Sequence, residues 1–346
     1  MSTIVSTQVQ LVSRPHGWPA PEDFRTVQVT YGDLQPGQVR VVNAFVSVDP
    51  YMRGRMNDVK SYAPPYALGA TMTGGAIGRV VDSASDAVPV GAVVLHQYGW
   101  RDVVQEDAAG FQVVPDVPGV PLSARLGILG MTGLTAYVGL TTIAGLTAGD
   151  TVFVSGAAGA VGQTVGQLAK IKGCRVVGIA GGPAKCEWVV KELGFDACID
   201  YKAPGPNGTD SKDTVKAGLK EHCPKGVDIY FDNVGGDILD TVLARINRKA
   251  RIVICGAISQ YNNTTPVQGP ANYLSLLVNR ARMEGMVVFD YIDRYPVAIA
   301  EMAGYLKAGK MKSKEDVVTG GVRAFPETLL KLFNGENFGK LVLQFA

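Results

Sequence analysis

The sequence predicts an α/β protein of two units: a doubly wound parallel sheet of six strands, and an irregular β-barrel-like domain that the end of the chain completes. Three observations carry this expectation. From Thr151 onward, strand-like and helix-like runs alternate across short gaps, as βαβ units do. The first run, Thr151–Ser155, leads through the glycine-rich turn Gly156-Ala157-Ala158-Gly159-Ala160-Val161-Gly162 into a helix-like run ending near Lys172. Before Leu126, and again from Val317, short strand-like runs are broken by Pro and Gly.

Taken in order, first-domain strands are expected at 8–12, 39–48, 76–81, 92–96 and 103–104, short strand-like runs separated by Pro and Gly punctuation. The parallel sheet is expected to use 151–155, 175–180, 197–201, 227–232, 251–255 and 284–289, with helices such as 184–193 and 211–222 between them. The stretch 202–210, rich in Pro, Gly and Asn, reads as a surface turn. Residues 317–318 and 341–345 read as strands again. The expected domains are therefore a substrate-binding, catalytic β domain over 1–127, a nucleotide domain over 128–309, and a return to the first over 310–346, with the active site in the cleft between them.

Composition narrows the class. A chain of 346 residues is long for one core, and 47% hydrophobic residues, 18% charged residues and a formal charge of +2 describe a soluble globular protein. Nothing in that balance suits nucleic acid, an anionic membrane or an acidic partner. The first dozen residues have no basic run followed by an apolar one, so a cytoplasmic location is expected. Residues 126–148 are free of charge and long enough to span a bilayer, yet their many Gly and Thr residues favour a buried segment between domains. The five cysteines are widely spaced with no C-x-x-C pair, and only three histidines are available. These counts argue against a disulfide framework or a metal site and read the cysteines as small buried hydrophobes.

The glycine turn carries the chemistry. A strand, a tight turn and a helix in this order bind a dinucleotide pyrophosphate: Gly159 lets the backbone approach the phosphates, Gly162 lets the helix pack on the sheet, and the helix N-terminus attracts the anion. Ala157 stands where the G-x-G-x-x-G pattern has its first glycine. A preference for NAD would put a carboxylate about 20 residues further on, to hold the ribose 2′-hydroxyl. Here the corresponding strand ends Gly178-Ile179-Ala180-Gly181-Gly182 and is followed by Lys185. An open glycine pair beside a cation suits the 2′-phosphate of NADPH, the alternative for Lys185 being a solvated helix-face lysine.

Further motifs run through nearly the whole chain: Val48-Asp49-Pro50-Tyr51-Met52-Arg53-Gly54-Arg55-Met56, Gly130-Met131-Thr132-Gly133-Leu134-Thr135-Ala136-Tyr137, Phe231-Asp232-Asn233-Val234-Gly235-Gly236, Cys255-Gly256-Ala257-Ile258-Ser259-Gln260-Tyr261-Asn262 and Gly335-Glu336-Asn337-Phe338-Gly339-Lys340. With the glycine turn they resemble, in content and order, the zinc-independent medium-chain dehydrogenases/reductases, in the branch of prostaglandin reductase and the alkenal double-bond reductases. That resemblance implies a dinucleotide-binding Rossmann domain beside a GroES-like domain, an NADPH cofactor, and a homodimer. It assigns Lys185 and Tyr201 to the 2′-phosphate and Asn233 to the cofactor, and it extends cofactor contact to Gly159, Ala160, Val161, Gly162, Cys255, Gly256, Ala257, Ile258, Val287 and Asn337. The family also carries alanine at the position of Ala157.

Zinc-bearing relatives place a cysteine where this chain has Asp49-Pro50-Tyr51, and a His-Glu pair within 69–81, where this chain has no His, Glu or Cys. No metal is expected, so carbonyl polarisation falls to hydrogen-bond donors. The implied reaction is reduction of a carbon–carbon double bond conjugated to a carbonyl, in a small enal or enone. A neutral tyrosine hydroxyl suits the developing enolate. Tyr261, just after a sheet strand, is the first choice for this catalytic role and Tyr51 the second, either being open to a plain packing role. Met131, Thr135 and Arg53 are candidates for the substrate pocket, with a core role open for the first two and a structural ion pair for Arg53. A quinone reductase, or a non-catalytic NADPH-binding protein, is the alternative function.

Overall fold

The computed structural model describes residues 3–115, 119–205 and 211–345. It divides into two compact units, the first of residues 1–126, 315–337 and 341–346, the second of residues 127–314 and 338–340. The return to the first unit thus begins at Glu315 rather than at residue 310, and three residues of that return stay with the second unit.

In the first unit, β1 (Ile4–Leu11) and β2 (Phe24–Tyr31) form an antiparallel pair over eight residues each. The larger sheet is built on β3 (Gln38–Ser47). It runs in the order β14 (Glu315–Thr319), β15 (Lys340–Gln344), β3, β4 (Ala76–Ser83), β5 (Val93–His96), β7 (Gln112–Val113), with β6 (Val103–Asp107) also paired to β3. Strand β3 serves three neighbours because β4 pairs along 39–46 while β6 takes 38–42 and β15 takes 45–47; its ladder with β4 is bulged at Val81 of β4 and at Ala44 of β3. Val39, Val41, Val80, Val88, Val94, Val104 and Phe111 form a core beneath it.

His96 on β5 is buried, with its protonation written into its contacts. Its Nδ1 accepts the Tyr98 N–H at 3.1 Å, and its Nε2 faces Asn43 Oδ1 at 2.8 Å. Burial, helped by Arg101, lowers its pKa to about 3. The unfolded chain protonates this residue near 6.5, so the stability tied to neutral His96 is full above that pH and is lost as pH falls toward 3, at about 1.4 kcal/mol per unit. His96→Gln is expected to flatten the fall in urea midpoint between pH 6.5 and 4.

The second unit holds a six-stranded sheet in the order β10 (Ala197–Asp200), β9 (Arg175–Ala180), β8 (Thr151–Ser155), β11 (Val227–Asp232), β12 (Ile246–Ile254), β13 (Arg282–Gly285). Every pairing is parallel. In order of appearance this is 3-2-1-4-5-6, the doubly wound arrangement, with its order reversing between β8 and β11. The strands at 151–155, 175–180 and 227–232 occur where the sequence places them, being short, apolar and buried on both faces. β13 ends at Gly285 instead of reaching residue 289, because its partner β12 stops at Ile254 and the chain beyond turns toward β11.

Helix α3 (Ala160–Ile171) follows β8, α4 (Pro183–Lys191) follows β9, and α5 (Ser211–His222) precedes β11. Residues 206–210 of the expected surface turn lie outside the described residues. The charge-free stretch 126–148 holds α2 (Met131–Val138) and a π-helical turn, Gly139–Ile143. Gly139 lets it pack against β11, since a Cβ there would sit 2.5 Å from the Phe231 ring. No helix among the described residues is long and apolar enough to cross a membrane.

Candidate cofactor and active site

The carboxyl ends of β8 and β11 flank the point where the strand order reverses, which is where open α/β sheets bind ligands. After β8 the chain turns through Gly156, at φ +61°, and enters α3 from Gly159, which caps the helix with no side chain. The first-turn N–H groups, at Ala160, Val161 and Gly162, lack intrahelical partners by geometry and make an anion-receptive end. A Cβ at Gly162 would lie 2.2 Å from the Gly156 carbonyl oxygen, so only glycine lets helix and turn approach this closely. Ala157, at the imperfect position, is fully buried and donates its N–H to Ile179 O at 3.0 Å. Space for its methyl comes from Gly178 on β9, where a Cβ would fall 2.7 Å from it.

One buried carboxylate stitches the strand ends together. Asp232 Oδ1 accepts hydrogen bonds from Ser155 Oγ at 3.0 Å, Tyr230 Oη at 2.6 Å, and the N–H groups of Val234 and Gly235. Asn233 follows, donating its N–H to Ser155 Oγ at 2.8 Å and its side-chain amide to Ser155 O at 2.7 Å. The Cys255 and Gly256 N–H groups reach back to Asp232 O, and Ile258 N–H to Asn233 O, which lays the loop after β12 on the loop after β11. Ser155 and Asp232 were not singled out in the sequence. The signal available was a polar residue closing each of two otherwise apolar strands.

Tyr261 ends a 3-10 turn, Ile258–Gln260, on that same loop. Its hydroxyl accepts the Ala257 N–H at 3.2 Å, which leaves its own proton to donate outward. Burial raises its pKa, opposed by the Ala257 hydrogen bond, so the group is neutral at pH 7. On α2, Met131 and Thr135 are half-buried positions one turn apart on a mostly buried helix, and Thr135 Oγ1 donates to Met131 O at 2.8 Å. Val287 follows β13, half-buried.

At the outer edge, Gly182, at φ +98°, caps α4 and donates its N–H to Asp200 Oδ1 at 2.7 Å; the same oxygen accepts the Lys202 N–H at 3.0 Å. A Cβ on Gly181 would meet Tyr201 Oη at 2.9 Å and Lys202 Cε at 3.0 Å. Lys185 stands in the first turn of α4. Thus Lys202, which the sequence reading leaves in a surface turn, comes to Gly181 together with Tyr201.

Residues 338–340 also belong to this unit's site. Gly339 donates its N–H to Ala158 O at 2.9 Å and bridges Gly159, while the Phe338 ring meets Trp188 edge-on at 4.9 Å. Asn337 is counted with the first unit.

In the first unit, Tyr51 opens the short helix α1 (Tyr51–Arg55). Its pKa is raised well above the usual value by burial, with Asp49 adding to the rise. Arg53 is turned to structure: its guanidinium donates to Gly17 O at 2.8 and 3.1 Å, Pro15 O at 3.2 Å and Asn57 Oδ1 at 2.7 Å, and the residue is 2% exposed. These contacts tie it to the loop at 15–17.

Known proteins decide the family. The chain matches the family models described as the N-terminal domain of oxidoreductase, over residues 7–114, and zinc-binding dehydrogenase, over residues 160–304. It is 44% identical over 344 residues to the putative NADP-dependent oxidoreductase YfmJ of Bacillus subtilis, covering 99% of this chain and 98% of that one. The chain belongs to the zinc-independent medium-chain dehydrogenases/reductases, in their double-bond reductase branch. Among this family's members it is also 41% identical to the NADPH-dependent curcumin reductase of Escherichia coli, covering 97% of this chain and 96% of that one. The crystal structure of CurA in complex with NADPH from Vibrio vulnificus is similar at 41% identity and TM-score 0.90, covering 98% of this chain and 99% of that one. Although one matching model is named for zinc, no group of three His, Cys, Asp or Glu among the described residues could hold a metal ion.

Proposed function

We propose that the protein uses NADPH to reduce the carbon–carbon double bond of α,β-unsaturated aldehydes or ketones. The observation that carries the cofactor is the edge of β9 and β10, where Gly181 lies under Tyr201 Oη and Lys202, Lys185 stands on the next helix, and Asp200 Oδ1 is taken up by the Gly182 and Lys202 N–H groups. That is a cradle for a 2′-phosphate. The pyrophosphate falls to the turn at Gly159–Gly162 and the open end of α3, with Asn233 and the 255–258 loop beside it. Val287 and Asn337 complete the proposed cofactor contacts. The relatives named for NADPH and for curcumin, a conjugated dienone, support both halves of the reading.

NADPH, when bound, supplies a hydride to the β-carbon of the substrate. Tyr261 donates its proton toward the carbonyl oxygen as negative charge gathers there, and the Ala257 N–H on its oxygen strengthens that donation. Tyr51 is the second candidate for this donor, and Met131 and Thr135 offer a mixed apolar and hydroxyl face to the substrate. The reading includes a cytoplasmic setting, in keeping with five free cysteines.

A panel of linear 2-alkenals, aryl enones and benzoquinone, with NADPH and NADH and products weighed by mass spectrometry, tests it. Products two hydrogens heavier at the double bond are expected, while turnover confined to benzoquinone would overturn the reading. A charge-assisted contact contributes about 1.5–3 kcal/mol. Lys185→Ala is therefore expected to cut the ratio of NADPH to NADH kcat/KM by roughly ten- to hundredfold.

A second copy of the chain is the proposed partner. β13 is an edge strand with every residue exposed, and α6 (Leu274–Asn279), packed on the neighbouring β12, leaves Leu277 75% and Val278 67% exposed. Such an edge with apolar cover favours pairing to its own kind. Light scattering is expected to give twice the chain mass, and Leu277→Glu with Val278→Glu to return the monomer.

A further inference from the structure

We propose that Cys186 and Cys198 are a redox-active dithiol, closed to a disulfide by a hydroperoxide, and that closure weakens NADPH binding. Cys186 is the fourth residue of α4 and Cys198 the second of β10. Their sulfurs lie 3.1 Å apart, with the Cys198 thiol donating to Cys186. This is closer than unbonded sulfurs usually pack, and an approach of about 1 Å more reaches the length of a disulfide. Among the described residues the other thiols, at Cys174, Cys223 and Cys255, have no sulfur neighbour of this kind. The same contact lowers the Cys186 pKa and raises that of Cys198, which favours Cys186 as the nucleophile.

The chemistry balances with a peroxide as the named oxidant. The Cys186 sulfur attacks one oxygen of the O–O bond, the other oxygen leaves as water or an alcohol with the thiol proton, and Cys186 becomes a sulfenic acid. The Cys198 sulfur then displaces that hydroxyl as water, forming the S–S bond. Two thiols lose two electrons, and one peroxide gains them.

The pair shares its two elements with the proposed 2′-phosphate cradle. Lys185 adjoins Cys186, while Asp200, two residues beyond Cys198, holds the N–H of Gly182, the cap of α4. Drawing the sulfurs together pulls the first turn of α4 toward β10 and takes Lys185 with it. The effect on NADPH rests on the cofactor reading above; the disulfide itself does not.

The test is a peptide map of the full-length protein after brief treatment with hydrogen peroxide, followed by thiol alkylation and trypsin without reductant. The residues place cleavage after Lys185, Lys191 and Lys202, so peptides 186–191 and 192–202 are expected joined through Cys186 and Cys198, and separate after reduction. NADPH fluorescence titration is expected to show at least a threefold higher Kd for the oxidised protein, restored by dithiothreitol, with no such change in Cys198→Ser. Absence of the joined peptides, with both thiols still alkylated or over-oxidised, would overturn the proposal. A joined pair with unchanged Kd would overturn its link to the cofactor. If the reduced protein binds NADPH no better than NADH, the cofactor reading has failed, and the peptide map still decides the dithiol.

Discussion

Gly162→Ala is expected to raise the Kd for NADPH at least a hundredfold and to lower the melting temperature by several degrees. The added methyl would stand 2.2 Å from Gly156 O and 2.8 Å from Ala157 Cα, both backbone atoms that no rotamer change can move. Either α3 lifts from the turn or the turn opens, and overpacking of this kind costs about 1–3 kcal/mol. Both escapes displace the N–H groups at Ala160 and Val161 that are proposed to hold the pyrophosphate. Gly159→Ala provides the contrast: its methyl would meet Gly156 O at 3.2 Å from an extended backbone, so a milder loss is expected. Fluorescence titration and a thermal melt check both variants, and wild-type affinity in Gly162→Ala would remove the turn from the cofactor site.

Tyr261→Phe is the second large effect. On the proposed mechanism it removes the donor to the carbonyl oxygen, and general-acid assistance contributes about a hundred- to ten-thousandfold. A fall of at least a hundredfold in kcat with an enone is expected. The variant also strands the Ala257 N–H that the hydroxyl accepts, so cofactor affinity should be measured beside turnover. Because the tyrosine pKa is raised, the rate is expected to show no loss through its ionisation between pH 6 and 9. Turnover within threefold of wild type would demote Tyr261 to positioning, and Tyr51→Phe would then become the deciding variant.

Much of the second unit was legible because its strands are buried on both faces and read as apolar runs, as at Val152-Phe153-Val154 and Ile229-Tyr230-Phe231. β2 was not, since its residues are exposed or half-buried and Arg25, Thr26, Gln28 and Thr30 interrupt any apolar pattern. β12 begins at Ile246, five residues before the expected start; its polar opening breaks register with β11 before Arg251, includes Lys249 at φ +64°, and has the Asn247 amide donating to Asp228 Oδ1. At the candidate site, the turn and the position of Lys185 in the first turn of α4 follow from local spacing. Asp232, Lys202 and the Cys186–Cys198 contact could not, because each depends on which strand ends the sheet order brings side by side. Arg53 shows the converse limit: a motif marks a position without saying which carbonyls its side chain meets.

The bridge between Gly339 and Gly159 sets an order on biosynthesis. Gly339, whose N–H binds Ala158 O, is made 180 residues after Gly159. A nascent chain can pair β8 with β9 early, but its nucleotide turn keeps an open carbonyl until residues 338–340 arrive. Cofactor capture on the ribosome would therefore wait for residues 338–340 instead of following the pairing of the first strands.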